Sequence, residues 1–379
     1  MISASTSLTC SRVGHIAGTL STALSRRCQM ASTHSKSPST APVHLCVFAP
    51  TPLELRTTKD AILSAPSLLD TNSLPVELSF CDTADEEAPV RSDFNARSYF
   101  SFVNTRHLGR TLFTASTTPS TQSFLQQNVT KLPNGVVFVA DQQSGGKGRG
   151  GNVWQSPKGC LMFSALTQLN ISGQHLPFVQ YLVTMAVVKA LKEETRLVLG
   201  LDRESQHLES AEPALDIRIK WPNDVYAKHG SLKIGGVLCN SSFRQGIFHL
   251  IMGVGLNLLN RNPTTCLDSL IREQNACQAV DDARPVQPER VLGNILTHLE
   301  PMLDRLCEHG FASFEEEYYS LWLHSGQHVA VEGVPMKIVG LSDQGYLLAE
   351  DEHSNRHELH PDGNSLDFFK GLIRKKVAV

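Results

Sequence analysis

The sequence predicts an α+β protein in which a mixed sheet with flanking helices is followed by a small C-terminal β-barrel. Short apolar runs with strand-like patterns alternate with helical patterns between about residues 111 and 324. Beyond Ser325, short strands are separated by turn signals, as in small barrels and sandwiches. With 379 residues, 41% of them hydrophobic, the chain is long enough to bury a core and to form two or three domains.

The elements of the central region follow from their residue patterns. Strands are predicted at Gly135–Ala140, Leu161–Leu169, Ile217–Trp221 and Phe248–Leu258, and helices at Phe178–Glu193, 288–307 and 311–323. In the first of these helices, apolar residues recur every three or four positions, which is the period of one helix face. The polar stretch 201–214 is predicted to be a surface insertion.

Residues 1–42 have the composition of a targeting leader. They are rich in serine and threonine, carry four basic residues and contain no acidic residue. This composition is typical of organelle transit peptides, and a disordered terminus is the alternative. We expect targeting to a chloroplast or mitochondrion, with a cytosolic form if translation starts at Met30.

Residues 43–110 are predicted to form a small accessory domain between this leader and the central region. Apolar runs at Val43–Ala49 and Phe94–Val103 suggest strands, but no motif in this part carries recognisable chemistry. The predicted organisation is therefore a leader (1–42), an accessory domain (43–110), a central catalytic domain (111–324) and a C-terminal domain (325–379).

Composition excludes several classes of protein. The 34 Lys and Arg residues nearly balance the 37 Asp and Glu residues, which argues against a protein that binds bulk nucleic acid. No run of about 18 apolar residues occurs, so no membrane-spanning helix is predicted. The nine cysteines are scattered and never form CxxC, which indicates reduced thiols rather than a zinc site or a disulfide framework.

A glycine-rich basic segment, Gly146–Gly151, follows the first predicted central strand. It satisfies GxGxxG, but a dinucleotide-binding fingerprint opens a helix, and here Pro157 and Gly159 fall in the first turns of any such helix. The spacing of a P-loop is also absent. The segment is therefore either a solvated turn or a flexible loop in which Lys147 and Arg149 can compensate an anion.

Three further segments place polar residues or glycines at strand ends. Lys220–Val225 ends a strand in a turn with an amide and a carboxylate, which serves either as simple turn chemistry or to hold a ligand hydroxyl or Mg²⁺. Lys233 stands just before a glycine pair that opens a strand. Gly253–Asn257 has glycines within a strand, which indicates that something packs closely against the backbone. Each signal is weak alone, whereas their order and spacing are informative.

Together these segments resemble the biotin protein ligases (holocarboxylase synthetases), most closely the plant-type members. The resemblance runs from about residue 90 to the C-terminus. Its motifs occur in the family's order: Pro119–Gln122, Gln143 followed by GGKGRGGNVW, Ser156–Leu161, KWPNDVY, KIGGVLCNSS and GVGLNLLN. The resemblance implies a sheet like that of class II aminoacyl-tRNA synthetases, followed by an SH3-like barrel.

The same resemblance implies an activity. Enzymes of this family activate biotin with ATP, giving biotinyl-5′-AMP and pyrophosphate, and then pass the biotinyl group to a lysine of a carrier domain. The expected substrates are therefore ATP and biotin, with Mg²⁺ accompanying ATP. The expected partners are the carrier domains of biotin-dependent carboxylases, and neither nucleic acid nor a membrane is expected.

The resemblance also assigns roles to individual residues. The biotin side is assigned to Ser120, Thr121, Gln122 and Gln143, the closing loop to Lys147, Gly148 and Arg149 with Trp154 after it, the phosphate wall to Asn223, Asp224, Lys233, Gly235 and Gly236, and the nucleotide end to Asn257. Lys233, Arg149 and Lys147 are the expected catalytic residues. Asp224 is the candidate Mg²⁺ contact.

One departure from the family pattern concerns the loop, which usually reads GRGR and here reads Gly146-Lys147-Gly148-Arg149. Lysine keeps the charge but loses the planar fork that binds two oxygens at once. We expect a working ligase with a looser hold on its intermediate, rather than a chain impaired in catalysis. Two other classes stay open: a lipoate-type acyl ligase and a non-catalytic biotin or adenylate sensor.

Overall fold

The computed structural model describes residues 43–70, 73, 75–83, 92–201, 215–278, 284–361, 364–367 and 372–375. The predicted leader, the alternative start at Met30 and nearly all of the predicted insertion at 201–214 lie outside these residues. Among the described residues, no helix combines the length and hydrophobicity that a membrane crossing requires.

One large sheet organises the central region. Its strands are β1 (His44–Phe48), β2 (Glu77–Phe80), β3 (Thr111–Thr118), β4 (Val136–Gln143), β5 (Cys160–Leu169), β6 (Ile217–Lys220), β7 (Asp224–Ala227), β8 (Leu232–Arg244) and β9 (Ile247–Asn257). They lie in the order β2-β1-β3-β4-β5-β9-β8-β7-β6. The β1–β2 and β3–β4 pairs are parallel and the others are antiparallel, so the sheet is mixed, as predicted.

Helices cover this sheet, and a second sheet follows. The helices are α1 (Pro52–Ser64), α2 (Ala96–Phe102), α3 (Thr121–Gln127), α4 (Leu176–Val198), α5 (Leu267–Gln278), α6 (Pro288–His309) and α7 (Glu315–Leu321). The C-terminal sheet comprises β10 (His328–Val331), β11 (Val334–Leu341), β12 (Leu347–Asp351), β13 (Arg356–Leu359), β14 (Asn364–Asp367) and β15 (Leu372–Lys375), in the order β13-β12-β11-β10-β15-β14. The predicted α+β fold is confirmed.

Strand β4 shows why these residues form a central strand. Its side chains alternate between two buried clusters, because successive residues of a strand point to opposite faces. Val137 and Val139 enter the larger core with α4 and α6, whereas Val136 and Phe138 enter a smaller core with α3. Both faces of the sheet are therefore covered, which explains the continuous apolar run in the sequence.

The structure corrects two of the predicted elements. Phe94–Val103 contains the helix α2 rather than a strand, because Asn95 caps it by accepting a hydrogen bond from Ser98 N at 2.9 Å. The single helix predicted at 311–323 is instead a 3₁₀ turn, Phe311–Phe314, followed by the short α7. In addition, β1 pairs with β3, so the sheet continues across the domain boundary predicted at residue 110.

A buried ion pair joins α4 to α6. The Glu194 side chain is fully buried, and its carboxylate accepts hydrogen bonds from Arg290 at 2.6 and 2.8 Å and from Gln287 N at 2.8 Å. Removing one partner of such a pair leaves the other charge buried without compensation. We therefore expect Glu194→Ala to lower the free energy of unfolding by about 3–5 kcal/mol.

Urea unfolding of Glu194→Ala beside Glu193→Ala tests this expectation. The neighbouring Glu193 pairs with His298 but is about half exposed, so its replacement should cost less than about 1 kcal/mol. Equal losses in the two variants would contradict the structural role given to the buried pair.

Candidate active site

A cavity of about 480 Å³ lies on the large sheet, between the start of α3 and the segment that follows β4. Its lining residues are Ser120, Thr121, Gln122, Gln143, Lys147, Gly148, Arg149, Asn152, Val153, Trp154, Phe163, Ser164, Asn223, Asp224, Lys233, Gly236, Val237, Leu238, Gly253, Val254 and Gly255. Three cations therefore face one cavity that also has a wall of hydroxyls and amides.

The floor of the cavity is a row of glycines in register. Gly255 on β9 pairs with Gly236 on β8, and Gly236 pairs with Asp224 on β7. The Trp154 ring lies over these glycines: a Cβ on Gly255 would lie 2.6 Å from its Nε1, and one on Gly236 would lie 3.7 Å from its Cζ3. The sequence predicted that something packs closely against these glycines, and in the structure it is the Trp154 indole ring.

The glycine-rich segment forms a hairpin beside the cavity rather than a helix. Gln143 bridges to Ser156 and Lys147 to Val153, and Trp154 N donates to Gly146 O at 3.0 Å. At the tip, Gly150 and Gly151 have φ of +63° and +81°, a conformation that glycine adopts without a steric penalty. This hairpin, which has two glycines at its tip, carries Lys147 and Arg149 beside the cavity.

Lys233 is held in place by two contacts. Its Nζ lies 2.7 Å from Asp224 Oδ1 and 5.7 Å from the centroid of the Trp154 ring. The neighbouring Asn223 is fixed to β8, because its Nδ2 donates to Val237 O at 2.8 Å and its carbonyl oxygen accepts from Val237 N at 2.8 Å. The ammonium therefore has a defined position on the wall of the cavity.

A hydrogen-bond network forms an uncharged part of the cavity wall. Gln143 Oε1 accepts from Thr121 N at 2.8 Å and from Thr121 Oγ1 at 3.2 Å. The Thr121 hydroxyl also meets Ser164 Oγ at 2.9 Å, and Ser164 Oγ donates to Gln122 Oε1 at 2.9 Å. These groups, all buried except the half-buried Gln143, are suited to a neutral polar ligand, since each offers a donor or an acceptor at a fixed position.

Gln122 acts chiefly within the fold. Its Nε2 donates to Ile251 O at 3.0 Å, Asn240 Oδ1 at 2.9 Å and Leu238 O at 3.2 Å, which ties α3 to β8 and β9. Ser120 likewise caps α3 by accepting a hydrogen bond from Ser123 N at 3.3 Å. Both residues line the cavity, but part of their hydrogen-bonding capacity is used to shape it.

Most of the site residues proposed from sequence meet in this one cavity. The exceptions are Gly235 and Asn257, which are not among the lining residues. Gly235 packs where a Cβ would lie 2.4 Å from Leu256 Cδ2. Asn257 is buried, and its Nδ2 donates to Thr264 Oγ1 at 2.9 Å. Their predicted contacts with ligand stay predictions.

Sequence reasoning missed several lining residues, of which Ser164 is the most informative. It lies in the middle of the buried part of β5, and it is 1% exposed. A hydroxyl flanked by buried apolar strand residues needs a hydrogen-bond partner, and that was the available signal. Phe163, Val237 and Leu238 gave no such signal, because apolar strand residues are expected to be buried in any case.

The cavity thus combines three cations with a neutral hydrogen-bonding end, which defines a site for a ligand that carries both an anionic group and a polar head. The family model described as the biotin/lipoate A/B protein ligase family matches residues 114–257, which include all of the residues that line the cavity. The match indicates the wider class of biotin and lipoate protein ligases.

Comparison with sequence relatives narrows this class. The chain is 39% identical over 294 residues to biotin–protein ligase 1, chloroplastic, of Arabidopsis thaliana, covering 76% of this chain and 75% of that protein. It is 36% identical over 298 residues to the biotin–protein ligase of Homo sapiens, covering 76% of this chain and 39% of that protein. The biotin protein ligase from Aquifex aeolicus, solved in complex with biotin and ATP, is 27% identical, with a TM-score of 0.49 and coverage of 65% of this chain and 94% of that chain.

The chain belongs to the biotin–protein ligase family. The resemblance drawn from the motifs is thereby confirmed.

Proposed function

We propose that this chain is an ATP-dependent biotin–protein ligase. It activates biotin to biotinyl-5′-AMP and then transfers the biotinyl group to a lysine of a carrier protein. Membership of the family supports this assignment. The observation that carries it is the convergence of Lys147, Arg149 and Lys233 with the Thr121–Gln143 network on one cavity.

The first step joins two anions. A carboxylate oxygen of biotin attacks the α-phosphorus of ATP, the new oxygen–phosphorus bond forms, and the bond to pyrophosphate breaks. Charge spreads over the phosphate oxygens in the transition state. Lys233, held 2.7 Å from Asp224, and Arg149 on the hairpin would stabilise this charge, and one such group typically contributes about 2.7–4 kcal/mol.

The second step releases AMP. The amine of the carrier lysine attacks the acyl carbon of the mixed anhydride, and the carbon–oxygen bond to AMP breaks. A mixed anhydride hydrolyses in water, so the site must exclude solvent until the carrier arrives. The glycine-tipped hairpin is the element suited to close over the intermediate, and Lys147 would add charge there without the two-bond grip of an arginine.

The uncharged end of the cavity suits the cyclic urea of biotin. A urea offers one carbonyl acceptor and two N–H donors. Ser120 and Thr121 supply hydroxyl groups there, and Gln143 supplies an amide. Gln122 would contribute mainly by fixing α3 against the sheet, because its amide already binds β8 and β9.

Mg²⁺ would enter with ATP. Among the described residues, no cluster of three or more His, Cys, Asp or Glu side chains forms a metal cage. In nucleotide sites, Mg²⁺ is commonly held by substrate phosphates and one or two carboxylates. Asp224 is the residue that would supply a carboxylate, and Mg²⁺ would neutralise phosphate charge.

The acceptor would be a biotin carrier domain, in keeping with the carboxylase partners expected from the sequence. We also propose that residues 1–42 direct the chain into an organelle, with a second, cytosolic form that starts at Met30. The composition of the leader and the name of the chloroplastic Arabidopsis relative support this idea. A fluorescent fusion to residues 1–42 that stays in the cytosol would contradict it.

An ATP–pyrophosphate exchange assay on the full chain tests the proposed activity. We expect exchange that depends on biotin and not on lipoate. We also expect a carrier domain incubated with the chain, ATP and biotin to gain one biotinyl group by mass spectrometry. Exchange with lipoate alone would identify a lipoate-type ligase instead, and no exchange with either acid would indicate a non-catalytic sensor.

A further inference from the structure

The turn that carries Asn223 and Asp224 is anchored by groups outside the cavity. It begins at Trp221, whose side chain is fully buried. The indole Nε1 of Trp221 donates to the Tyr181 hydroxyl at 2.9 Å, and that hydroxyl in turn donates to Gly345 O at 2.5 Å. A single phenol on α4 therefore connects the active-site turn to the C-terminal sheet.

The C-terminal contact is made by a tight turn between β11 and β12. Gly345 N donates to Ser342 O at 2.8 Å, and Gly345 has a φ of +80°. A Cβ at this position would lie 3.3 Å from Tyr181 Cε2. The turn thus places a backbone carbonyl on the Tyr181 hydroxyl, and glycine allows it to lie this close.

The backbone of Trp221 is held by residues that immediately precede the C-terminal sheet. Trp221 N donates to His324 Nε2 at 3.0 Å, and His324 Nδ1 lies 2.9 Å from Gln327 Oε1. Burial lowers the pKa of His324 to about 4, so the ring is neutral at physiological pH and can accept this hydrogen bond. The start of the turn is therefore fixed at both its side chain and its backbone.

The Tyr181 hydroxyl is buried between Trp221 and Gly345. Burial raises the pKa of Tyr181, whereas the hydrogen bond from Trp221 and the charge of Arg149 oppose this shift. The hydrogen bonds of the hydroxyl to Trp221 and Gly345 place Tyr181 where the active-site turn meets the C-terminal sheet.

We propose that Tyr181 is a positioning residue for adenylate formation. Through the Tyr181 hydroxyl, the Ser342–Gly345 turn fixes the position of the Asp224–Lys233 pair. The path runs from Gly345 O through the Tyr181 hydroxyl to Trp221, along the turn to Asp224, and from Asp224 to Lys233 Nζ. This inference rests on the proposed function. It assigns the C-terminal sheet a part in catalysis that involves no contact with ligand.

The chain offers a matched control in the same aromatic cluster. The ring of Tyr318 lies 5.2 Å from that of Tyr181, and its hydroxyl is buried without a hydrogen-bond partner among the described residues. Tyr181→Phe and Tyr318→Phe therefore remove the same atom from the same cluster, but Tyr181→Phe alone breaks the path to the active-site turn.

Single-turnover adenylate formation on the full chain, with labelled ATP and excess biotin, tests the proposal. For Tyr181→Phe we expect the rate constant to fall about tenfold, which is the scale of one lost hydrogen bond. The amplitude and the Kd for biotin should be unchanged, because the biotin end is built on α3 and β4. Tyr318→Phe should keep the wild-type rate.

Three results would overturn the proposal. The first is a Tyr181→Phe rate within twofold of wild type. The second is a lower amplitude at an unchanged rate, since that pattern reports lost folded protein rather than a displaced Lys233. The third is an equal fall in rate for Tyr318→Phe. A wild-type chain that forms no adenylate at all would instead overturn the proposed function, and this inference with it.

A second pair of variants tests the same path by changing residues of the C-terminal sheet. Gly345→Ala and Gly333→Ala both place a side chain at positive φ, at +80° and +88°, but a Cβ at Gly333 would have no neighbour within 4 Å. We expect the rate constant to fall for Gly345→Ala and to be unchanged for Gly333→Ala. Equal rates in the two variants would contradict the role given to the Ser342–Gly345 turn.

Discussion

Replacing Lys233 with alanine is expected to slow adenylate formation by about 10²–10³-fold, the range found when one preorganised group that stabilises transition-state charge is removed. Its ammonium is held by Asp224 at 2.7 Å and by the face of Trp154. It is therefore already in position when charge develops on the α-phosphate. Among the described residues that line the cavity, the other cations are Lys147 and Arg149, which lie on the hairpin rather than on the sheet.

The measurement is biotin-dependent ATP–pyrophosphate exchange at saturating biotin and ATP. Lys228→Ala is the matched control, because Lys228 lies in the short connection after β7 and pairs with Glu273 at the surface. It should exchange at the wild-type rate. A Lys233→Ala variant that retains more than about a tenth of wild-type exchange would remove Lys233 from the catalytic role given to it.

Replacing Arg149 with alanine is expected to reduce adenylate formation by about 10²-fold and to let the intermediate escape. Arg149 lines the cavity from the hairpin, so in the proposed mechanism its loss removes a charge at the phosphate and a group that would hold the hairpin over the intermediate. Because a closed hairpin excludes water, the variant should also release or hydrolyse biotinyl-5′-AMP faster than wild type.

Exchange and the rate of loss of labelled adenylate measure these two effects separately. Arg244→Ala serves as the control, since Arg244 is exposed at the end of β8 and outside the cavity. Wild-type exchange together with wild-type retention in Arg149→Ala would show that the hairpin does not act on the intermediate.

Local patterns were enough to predict four strands of the central sheet, β4, β5, β6 and β9, but not β2, β3 or β7. Strands β4, β5 and β9 and helices α4 and α6 have long periodic patterns, and burial on both sheet faces keeps those patterns apolar. Helix α2 was missed because its residues are rich in aromatics, which favour strands. The Asn95 cap and the packing of the segment favour a helix instead. The pairing of β1 with β3 was not predictable, because it joins residues more than sixty positions apart.

The site was predictable where chemistry requires an unusual residue pattern. Glycines beside cations predicted the hairpin. Lys233 before a glycine pair predicted the wall of the cavity, and the glycines of β9 predicted its floor. The pattern did not reveal that Gln122 binds strands β8 and β9, nor that Asn257 lies outside the cavity lining. Both depend on side-chain contacts across the sheet, which one sequence does not encode locally.

A crystal structure of the full chain with biotin and ATP tests the central claim most directly. We predict biotinyl-5′-AMP with its phosphate within about 3 Å of Lys233 Nζ, the Arg149 hairpin closed over it, and the ureido ring against Thr121 and Gln143. An adenylate bound away from Lys233 and Arg149 would contradict the account.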